Sequence, residues 1–519
     1  MRRKSGGGTI VTGAGPIRPW WETRLAVAAA ILLAFVPLLY PNVPPLVDLF
    51  GHMGRYRVEL DLDRSVHLQQ YYAFHWAPIG NLGVDLLVMA LGPLIGLEPA
   101  VKLIVLIIPP LTVAGFLWVA REVHGRVPPT AYFAIPFAFG HPFLFGFVNF
   151  ALAMALAFLA FGLWLRLGRL GKLRLRELLF VPISLIVFFT HTFGWGALGL
   201  LCFSAEAVRQ HDRGIGWLRA GVNAALQASV MLLPVLVMVF WRSETHGVTT
   251  ADMFNWNAKL MWLKTALRDR WQWFDMAALG VVGLILLEAL RNPRLTFSRN
   301  LAFSALVLIA GFVMLPRIIF GSAYADMRLV PYFIAVLLRA VRFRGTTTPR
   351  LGLALAVLAF TFVGARLGAN TVSLVIAAND QQAELKAIAH LPQGARVMSM
   401  VGLRCGTSWA LPRNSHLGAM VVVRRDGFSN DQWLMEGLNL LELKYRAPGY
   451  FATDPSEIVR PDACGDRLHL TISRALKTMP RDAFDYLWLI DPPVYNARDV
   501  ADLTPVWRGP GSILYRVKP

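Results

Sequence analysis

The residues best suited to chemistry follow the first long apolar segment, in the stretch Val47-Asp48-Leu49-Phe50-Gly51-His52-Met53-Gly54-Arg55. If this stretch is helical from Val47, Asp48, His52 and Arg55 fall on one face at i, i+4 and i+7. An anionic base, a titratable imidazole and a phosphate-binding guanidinium suit transfer from a phosphate-linked donor. The alternative is a solvated helix whose charges mark the boundary of a bilayer.

Two further arginines lie at predicted helix ends late in the apolar part of the chain. Arg317 ends one apolar segment and Arg328 begins the next, so both guanidiniums can lie where a lipid phosphate head would sit. The alternative is that both side chains snorkel from helix ends, with Asp326 as a local partner.

Three polar residues occupy turns between apolar segments. His141 and Asn149 flank one turn and His191 lies in another. Polar groups at membrane depth often have a function, although a single histidine among aromatic residues is more often structural. No histidine spacing supports a metal site, so we predict neither a metal nor another cofactor and leave a divalent cation open.

The composition identifies the class of protein that must position these residues. The 519-residue chain is 55% hydrophobic and 16% charged, which indicates a polytopic membrane protein. Its net charge of +19 comes from Lys and Arg in short loops between apolar runs. Such clusters are orientation signals of cytoplasmic loops, and we therefore predict no nucleic-acid partner.

The basic loops fix a predicted topology. The expected spans are 25–40, 100–121, 129–146, 148–167, 177–191, 195–210, 217–241, 275–291, 300–317, 328–342 and 350–368. The excess of Lys and Arg places the following loops in the cytoplasm: 121–126, 166–176, 209–219, 291–299 and 339–350. With the N-terminal tail and all of these loops in the cytoplasm, the chain crosses the membrane about eleven times. This count requires that the apolar run 82–97 does not span the membrane but lies at the outer face, broken at Gly92-Pro93.

The domains follow from this topology. Residues 1–24 form a cytoplasmic tail, and 25–369 form the membrane domain with outer-face loops 42–99 and 242–274. In the second loop, apolar residues from Met253 to Trp271 recur at helical spacing and predict an amphipathic interfacial helix, with Lys259 on its polar side.

The tail of the chain has a different pattern. Residues 370–519 predict an extracytoplasmic α/β domain, with strands such as Arg396 to Val401 and Tyr486 to Ile490. In an oxidising compartment, Cys405 and Cys464 are a candidate disulfide.

Together these features resemble the GT-C superfamily of membrane glycosyltransferases, which includes aminoarabinose transferases and protein O-mannosyltransferases. The resemblance lies in the order of four features: Asp48 beyond the first span, the stretch from Ala77-Pro78 to Gly96, the turn at 120–126, and Arg328-Leu329-Val330-Pro331. Two positions differ from the common pattern. Leu49 follows Asp48 where these enzymes often have an Asp-Glu pair, and Asn149 stands at a usually acidic position after the third span.

The resemblance implies an inverting transferase that moves a sugar from a polyprenyl-phosphate donor to a glycan, lipid or protein acceptor. Asp48, the one position that matches the family, would then be the base. Spacing and topology, and not the resemblance, add His52, Arg55, Arg317 and Arg328 as the residues that bind the donor phosphate; secondary candidates are His141, Asn149, His191 and Asp326. A multi-pass protein of a bacterial-type inner (plasma) membrane is expected, with the C-terminal domain periplasmic. The alternative is a non-catalytic membrane component of a polysaccharide assembly or export system.

Overall fold

The computed structural model describes residues 19–240, 250–319, 321–345, 349–406, 408–434, 439–465 and 468–517. It consists of a large helical part followed by a C-terminal mixed sheet. Most of the predicted N-terminal tail, residues 1–18, and the start of the predicted loop 242–274, through residue 249, lie outside the described residues.

The α-helices of the described residues are α1 (Arg24–Leu33), α2 (Val36–Leu39), α3 (Leu49–Asp61), α4 (Val66–Tyr71), α5 (Gly83–Ile95), α6 (Leu97–His124), α7 (His141–Phe145), α8 (Val148–Arg169), α9 (Leu173–Thr190), α10 (Thr192–His211), α11 (Trp217–Ala228), α12 (Leu233–Phe240), α13 (Trp256–Lys264), α14 (Gln272–Arg291), α15 (Arg299–Met314), α16 (Val330–Ala340), α17 (Pro349–Glu384), α18 (Met420–Arg425) and α19 (Ile472–Thr478). Short 3-10 helices are Trp20–Glu22, Pro129–Phe139, Ser229–Met231, Met327–Leu329, Leu385–His390, Leu417–Ala419, Gly449–Ala452, Asp462–Cys464, Arg481–Ala483 and Ala497–Val500.

Several of these helices can cross a bilayer. Within the described residues, four are long and apolar enough: Leu97–His124, Val148–Arg169, Gln272–Arg291 and Arg350–His390. The pair Trp217–Met231 and Leu233–Phe240, bent by 59°, makes a fifth if it is one span. Shorter apolar helices cover Arg24–Leu39, Gly83–Ile95 and Arg299–Met314. The count of eleven spans stays a prediction.

The predicted span 129–146 is wrong as a continuous helix. A 3-10 segment at Pro129–Phe139 is followed by the five-residue helix α7. Prolines at 128, 129, 136 and 142 remove backbone donors, which prevents a regular helix. All residues of the 3-10 segment are buried, so this irregular backbone packs inside the protein, where it is tolerated at membrane depth.

Two outer-face predictions also change in detail. The apolar run 82–97 forms α5 without a break at Gly92-Pro93; the helix ends at Ile95, where Gly96 has φ +88°. The amphipathic helix predicted for 253–271 is the shorter α13, and Lys259 is buried on it. The Lys259 ammonium donates to the carbonyls of Phe312 and Leu315 and pairs with Asp326 at 3.2 Å.

The strands are β1 (Tyr72–Phe74), β2 (Leu295–Phe297), β3 (Val341–Phe343), β4 (Arg396–Gly402), β5 (Phe428–Ser429), β6 (Leu441–Leu443), β7 (Ile458–Arg460), β8 (Leu470–Thr471), β9 (Tyr486–Ile490), β10 (Thr504–Arg508) and β11 (Ser512–Arg516). The main sheet has the order β10-β11-β9-β4-β7-β8, and β5 also pairs with β4. Strand β4 runs parallel to β5, β7 and β9, with Val397 opposite Tyr486, whereas β11 is antiparallel to β9. All five residues of β9 are buried.

The boundary predicted at residue 370 falls inside α17. This helix runs from Pro349 to Glu384 and continues as the 3-10 helix Leu385–His390. The main sheet begins with β4. We call residues 396–517 the C-terminal unit. It contains the disulfide between Cys405 and Cys464, whose Cα atoms are 5.7 Å apart.

Strand pairing and ion pairs join the C-terminal unit to the helical part. Strand β6 pairs antiparallel with β1, with Leu443 opposite Tyr72. Elsewhere, Arg413 pairs with Asp269 at 2.5 Å and donates to the Pro45 carbonyl. Because the side chains of Arg413 and Asp269 are buried, these bonds hold the segment before the 3-10 helix Leu417–Ala419 in a fixed place.

Candidate functional site

A cavity of about 1550 Å³ lies between the helical part and the C-terminal unit. Its polar lining includes Asp48, His52, Arg55, Asn149, His191, Arg328, His416, Asp454 and Glu457. The residues predicted from the one face of α3 are thus together in one cavity.

The N-terminus of α3 is fixed by the turn after α7. The Asp48 amide donates to the Phe145 carbonyl at 2.9 Å, and Asp48 is the residue that precedes α3. Gly146 has φ +106°, and a Cβ there would overlap Asp48. Glycine is needed at this position both for its backbone angle and for the close approach. The Asp48 side chain is 13% exposed and lines the cavity.

The surroundings of Asp48 favour a role for its carboxyl group as a proton acceptor. Burial raises the pKa of the Asp48 carboxyl well above its ordinary value, the charge of Asp454 raises it further, and the Arg328 guanidinium lowers it. A carboxyl whose pKa moves toward the working pH is a more effective general base.

Arg328 is a cation without a carboxylate partner among the described residues. Its guanidinium donates to the Ser322 hydroxyl at 3.2 Å, while its buried Nε has no hydrogen-bond partner. The guanidinium carbon lies 4.6 Å from the Phe147 ring centroid and 5.1 Å from that of Phe193. These π faces support a desolvated cation and leave its charge available to an anion in the cavity.

The positive charge of Arg55, in contrast, is already neutralised by ion pairs. It pairs with Asp85 at 2.6 Å and with Glu59 at 3.2 Å, and all three side chains are buried. Asn149 donates to the same Asp85 carboxylate at 2.9 Å and accepts from the Val84 amide. This network joins α3, α5 and α8, so it anchors the helix that carries Asp48.

His52 and His191 line the cavity as neutral imidazoles in aromatic settings. Burial, and then the charges of Arg55 and His416, lower the pKa of His52. Its ring centroid is 5.0 Å from that of Trp433. A Cβ on Gly51 would overlap Trp433, so glycine allows α3 to approach the C-terminal unit. His191 accepts a hydrogen bond from the Phe193 amide at 3.1 Å.

Three residues predicted for the site do not line the cavity. Arg317 pairs with Asp252 at 3.4 Å. Asp326 is buried against Lys259. His141 is buried, with Nδ1 3.3 Å from the Thr265 hydroxyl. Each has a local partner in the helical part, and that partner holds its side chain away from the cavity.

Sequence reasoning missed His416, Asp454 and Glu457, which the C-terminal unit brings to the cavity. The His416 ring lies between two carboxylates, with Nε2 3.9 Å from Asp48 and Nδ1 4.0 Å from Glu457. One potential ligand atom from each of His416, Asp454 and Glu457 lies within 4.8 Å of the others. These residues lie in turns of the C-terminal unit, and no local spacing connects them.

The apolar lining comes from the helical bundle. It includes Phe188, Trp195, Leu200, Met238, Met314 and Leu315. The cavity thus combines charged groups, mainly from α3 and the C-terminal unit, with apolar walls from α9, α10, α12 and the end of α15.

Comparisons with known proteins give a match in overall structure alone. No family model and no curated protein matches the sequence. The structure is similar to that of ArnT from Cupriavidus metallidurans in the apo state, with a TM-score of 0.46 and 12% identity over 95% of this chain and 97% of that chain. The ArnT structure bound to undecaprenyl phosphate gives the same TM-score and coverage at 13% identity. Both matches are at low sequence identity and concern the fold alone.

Proposed function

We propose that the protein is an inverting membrane glycosyltransferase that moves a sugar from a polyprenyl-phosphate-linked donor to an acceptor hydroxyl. One observation carries the proposal: Asp48 and Arg328, a cation without an ion-pair partner among the described residues, line the same cavity, which also has apolar walls. A lipid-linked phosphosugar needs these three features, a base, a phosphate site and an apolar wall.

The cavity size fits a reaction with two substrates. Its volume of about 1550 Å³ exceeds the ~300–1,000 Å³ that is usual for small-molecule pockets. The apolar side chains from α9, α10 and α12 suit the first isoprene units of the donor. The polar side around Asp48 then leaves room for the sugar and the acceptor.

In the proposed reaction, the Asp48 carboxylate removes the proton from the acceptor hydroxyl. The acceptor oxygen forms a bond to the anomeric carbon on the side opposite the phosphate. The bond from that carbon to the phosphate oxygen breaks, and polyprenyl phosphate leaves with the electron pair. Arg328 stabilises the negative charge on the leaving phosphate. We place this reaction at the outer face of a bacterial-type plasma membrane.

The test is Asp48→Asn in full-length protein reconstituted in liposomes with a panel of undecaprenyl-phosphate sugars. The substitution keeps the size and removes the base, so transfer should fall by ~10²–10⁴-fold, while thermal stability in detergent stays close to wild type. The matched control is Asp502→Asn, because Asp502 lies on the surface of the C-terminal unit, paired with Arg481.

Two results would contradict the proposal. If Asp48→Asn kept full activity, Asp48 would not be the base. If wild-type protein consumed no donor of the panel, a non-catalytic component of a polysaccharide assembly or export system would become the better interpretation.

A further inference from the structure

Three carboxylates, those of Asp48, Asp454 and Glu457, line the cavity, and Glu457 is fully buried. Burying like charges together is unfavourable unless a cation neutralises them.

Glu457 and the imidazole His416, which both line the cavity, have buried polar atoms without hydrogen-bond partners among the described residues. Glu457 is fully buried, and neither of its carboxylate oxygens has a hydrogen-bond partner among the described residues. His416 is 5% exposed, and its Nδ1 also lacks a hydrogen-bond partner. The 4.0 Å between Nδ1 and Glu457 is too long for a hydrogen bond. It suits two ligands of one ion, since atoms each ~2.1 Å from a metal lie roughly 3–4 Å apart.

The backbone around these residues is held firmly. The Asp454 amide donates to the Gln432 carbonyl at 3.2 Å, and the Val401 amide donates to the Glu457 carbonyl at 2.6 Å. The loop carrying both acids is thus bonded to β4 and to the segment after β5. A preformed arrangement of this kind loses little entropy when an ion binds.

We propose that His416, Asp454 and Glu457 bind one divalent transition-metal cation in the cavity. One imidazole and two carboxylates suit Zn²⁺ or Mn²⁺. Three protein ligands leave a coordination position open, as in catalytic metal sites. An oxygen of Asp48 lies 3.9 Å from the other nitrogen of His416, so Asp48 is adjacent to the proposed site without being one of its ligands.

The cation deepens the proposed transferase, on which its role rests. All three ligands line the cavity that also contains Arg328. A donor phosphate oxygen in the open coordination position would meet the ion's charge as well as that of Arg328. The C–O bond that breaks would then leave its electron pair on a phosphate held by two cationic groups.

The test uses the full chain, purified in detergent and stripped with EDTA, and titrated with Mn²⁺ while the EPR signal of free Mn²⁺ is followed; Zn²⁺ is then added as a competitor. We expect one Mn²⁺ per chain, displaced by one Zn²⁺. Glu457→Gln and His416→Gln should each weaken binding at least tenfold. Glu442→Gln is the matched control, because Glu442 is an exposed glutamate of the same unit.

A second measurement tests the open position without any turnover. Farnesyl phosphate added to the Mn²⁺-loaded protein should show a paramagnetically broadened ³¹P resonance, and Zn²⁺ should abolish the broadening. Absence of broadening would overturn the proposed contact between ion and phosphate. Failure of wild-type protein to bind either ion, or wild-type affinity in Glu457→Gln, would overturn the metal site itself.

The two proposals fail separately. Sugar transfer that persists in EDTA, with no ion bound, contradicts the proposed role of the ion in transfer and leaves the transferase standing. Stoichiometric Mn²⁺ binding without consumption of any donor contradicts the transferase and supports the site. Asp48→Asn should abolish transfer while it retains Mn²⁺, because Asp48 is the proposed base and is not one of the three ligands.

Discussion

At the scale of single residues, Arg317 and Arg328 were equivalent candidates in the sequence but have different surroundings in the structure. Arg317 has a carboxylate partner, Asp252. Arg328 lies among the rings of Phe147, Phe150 and Phe193, with the Ser322 hydroxyl as its polar partner. Because Arg328 is buried and has no carboxylate within ion-pair distance among the described residues, it gains more than Arg317 from an anion in the cavity, and we propose Arg328 as the group that binds the donor phosphate.

This difference gives a prediction about donor affinity. Arg328→Gln removes a charge-assisted contact that contributes ~1.5–3 kcal/mol, so the KM for a polyprenyl-phosphate sugar should rise by about 10- to 100-fold. Arg317→Gln is the matched control and should leave the KM close to wild type. Initial rates at varied donor concentration in liposomes measure both. An equal effect of the two substitutions would show that the phosphate lies elsewhere.

At the scale of elements, the contact between α3, α5 and α8 holds the candidate base in place. Arg55, Asp85 and Asn149 form its buried core. Asn149 stands at a position that is usually acidic in the family that the sequence resembles. Its contacts in the structure give a local reason for an asparagine here. The Asn149 amide donates to a carboxylate that already neutralises Arg55, which an acid at this position could not do when ionised.

Asn149→Asp should therefore destabilise the protein. The change places two buried carboxylates in contact and removes the donor to Asp85, at a cost on the order of 1–3 kcal/mol or more. A lower Tm in detergent is the expected measurement. Asn149→Ala is the comparison: it removes the same hydrogen bonds without adding a charge, so its Tm should fall less. If Asn149→Asp had the same Tm as wild type, the Asp85 carboxylate would not need the hydrogen bond that Asn149 donates.

Local patterns predicted some elements well and others poorly. Strand β9 covers Tyr486–Ile490, the residues predicted, and α3 begins two residues after the predicted start. The segment 129–146 was predicted as a helix because hydropathy does not distinguish a helix from a buried 3-10 segment, although its prolines were visible in the sequence. The predicted boundary at 370 marked where hydropathy falls, whereas α17 continues beyond it to Glu384.

At the scale of the whole molecule, the cavity and the basic loops lie at opposite ends of the same helices. In α8, Asn149 near the start lines the cavity, while Arg166 and Arg169 are at the end. In α10, Thr192 lines the cavity and Arg209 is in the last turn. This polarity agrees with an outer-face cavity and cytoplasmic basic loops.

The topology prediction follows directly. An alkaline-phosphatase fusion after residue 519 should be active, and a fusion in the loop 166–176 should be inactive; a fluorescent-protein fusion should show the opposite pattern. Immunoblots of both fusions control for expression. An inactive C-terminal phosphatase fusion would place the cavity on the cytoplasmic side. That result would contradict the proposal that the lipid-linked donor reacts at the outer face.

The sequence alone determined the membrane class, the fold resemblance and the face of α3 that carries Asp48, His52 and Arg55. These features depend on hydropathy and helical period, which are local properties of the chain. Only the tertiary structure decided that Arg328 faces the cavity while Arg317 does not, and that His416, Asp454 and Glu457 approach Asp48. The approach of these three residues to Asp48 depends on the pairing of β6 with β1 and on the buried ion pair of Arg413 with Asp269. Such bonds join residues far apart in the chain, so no local spacing encodes them.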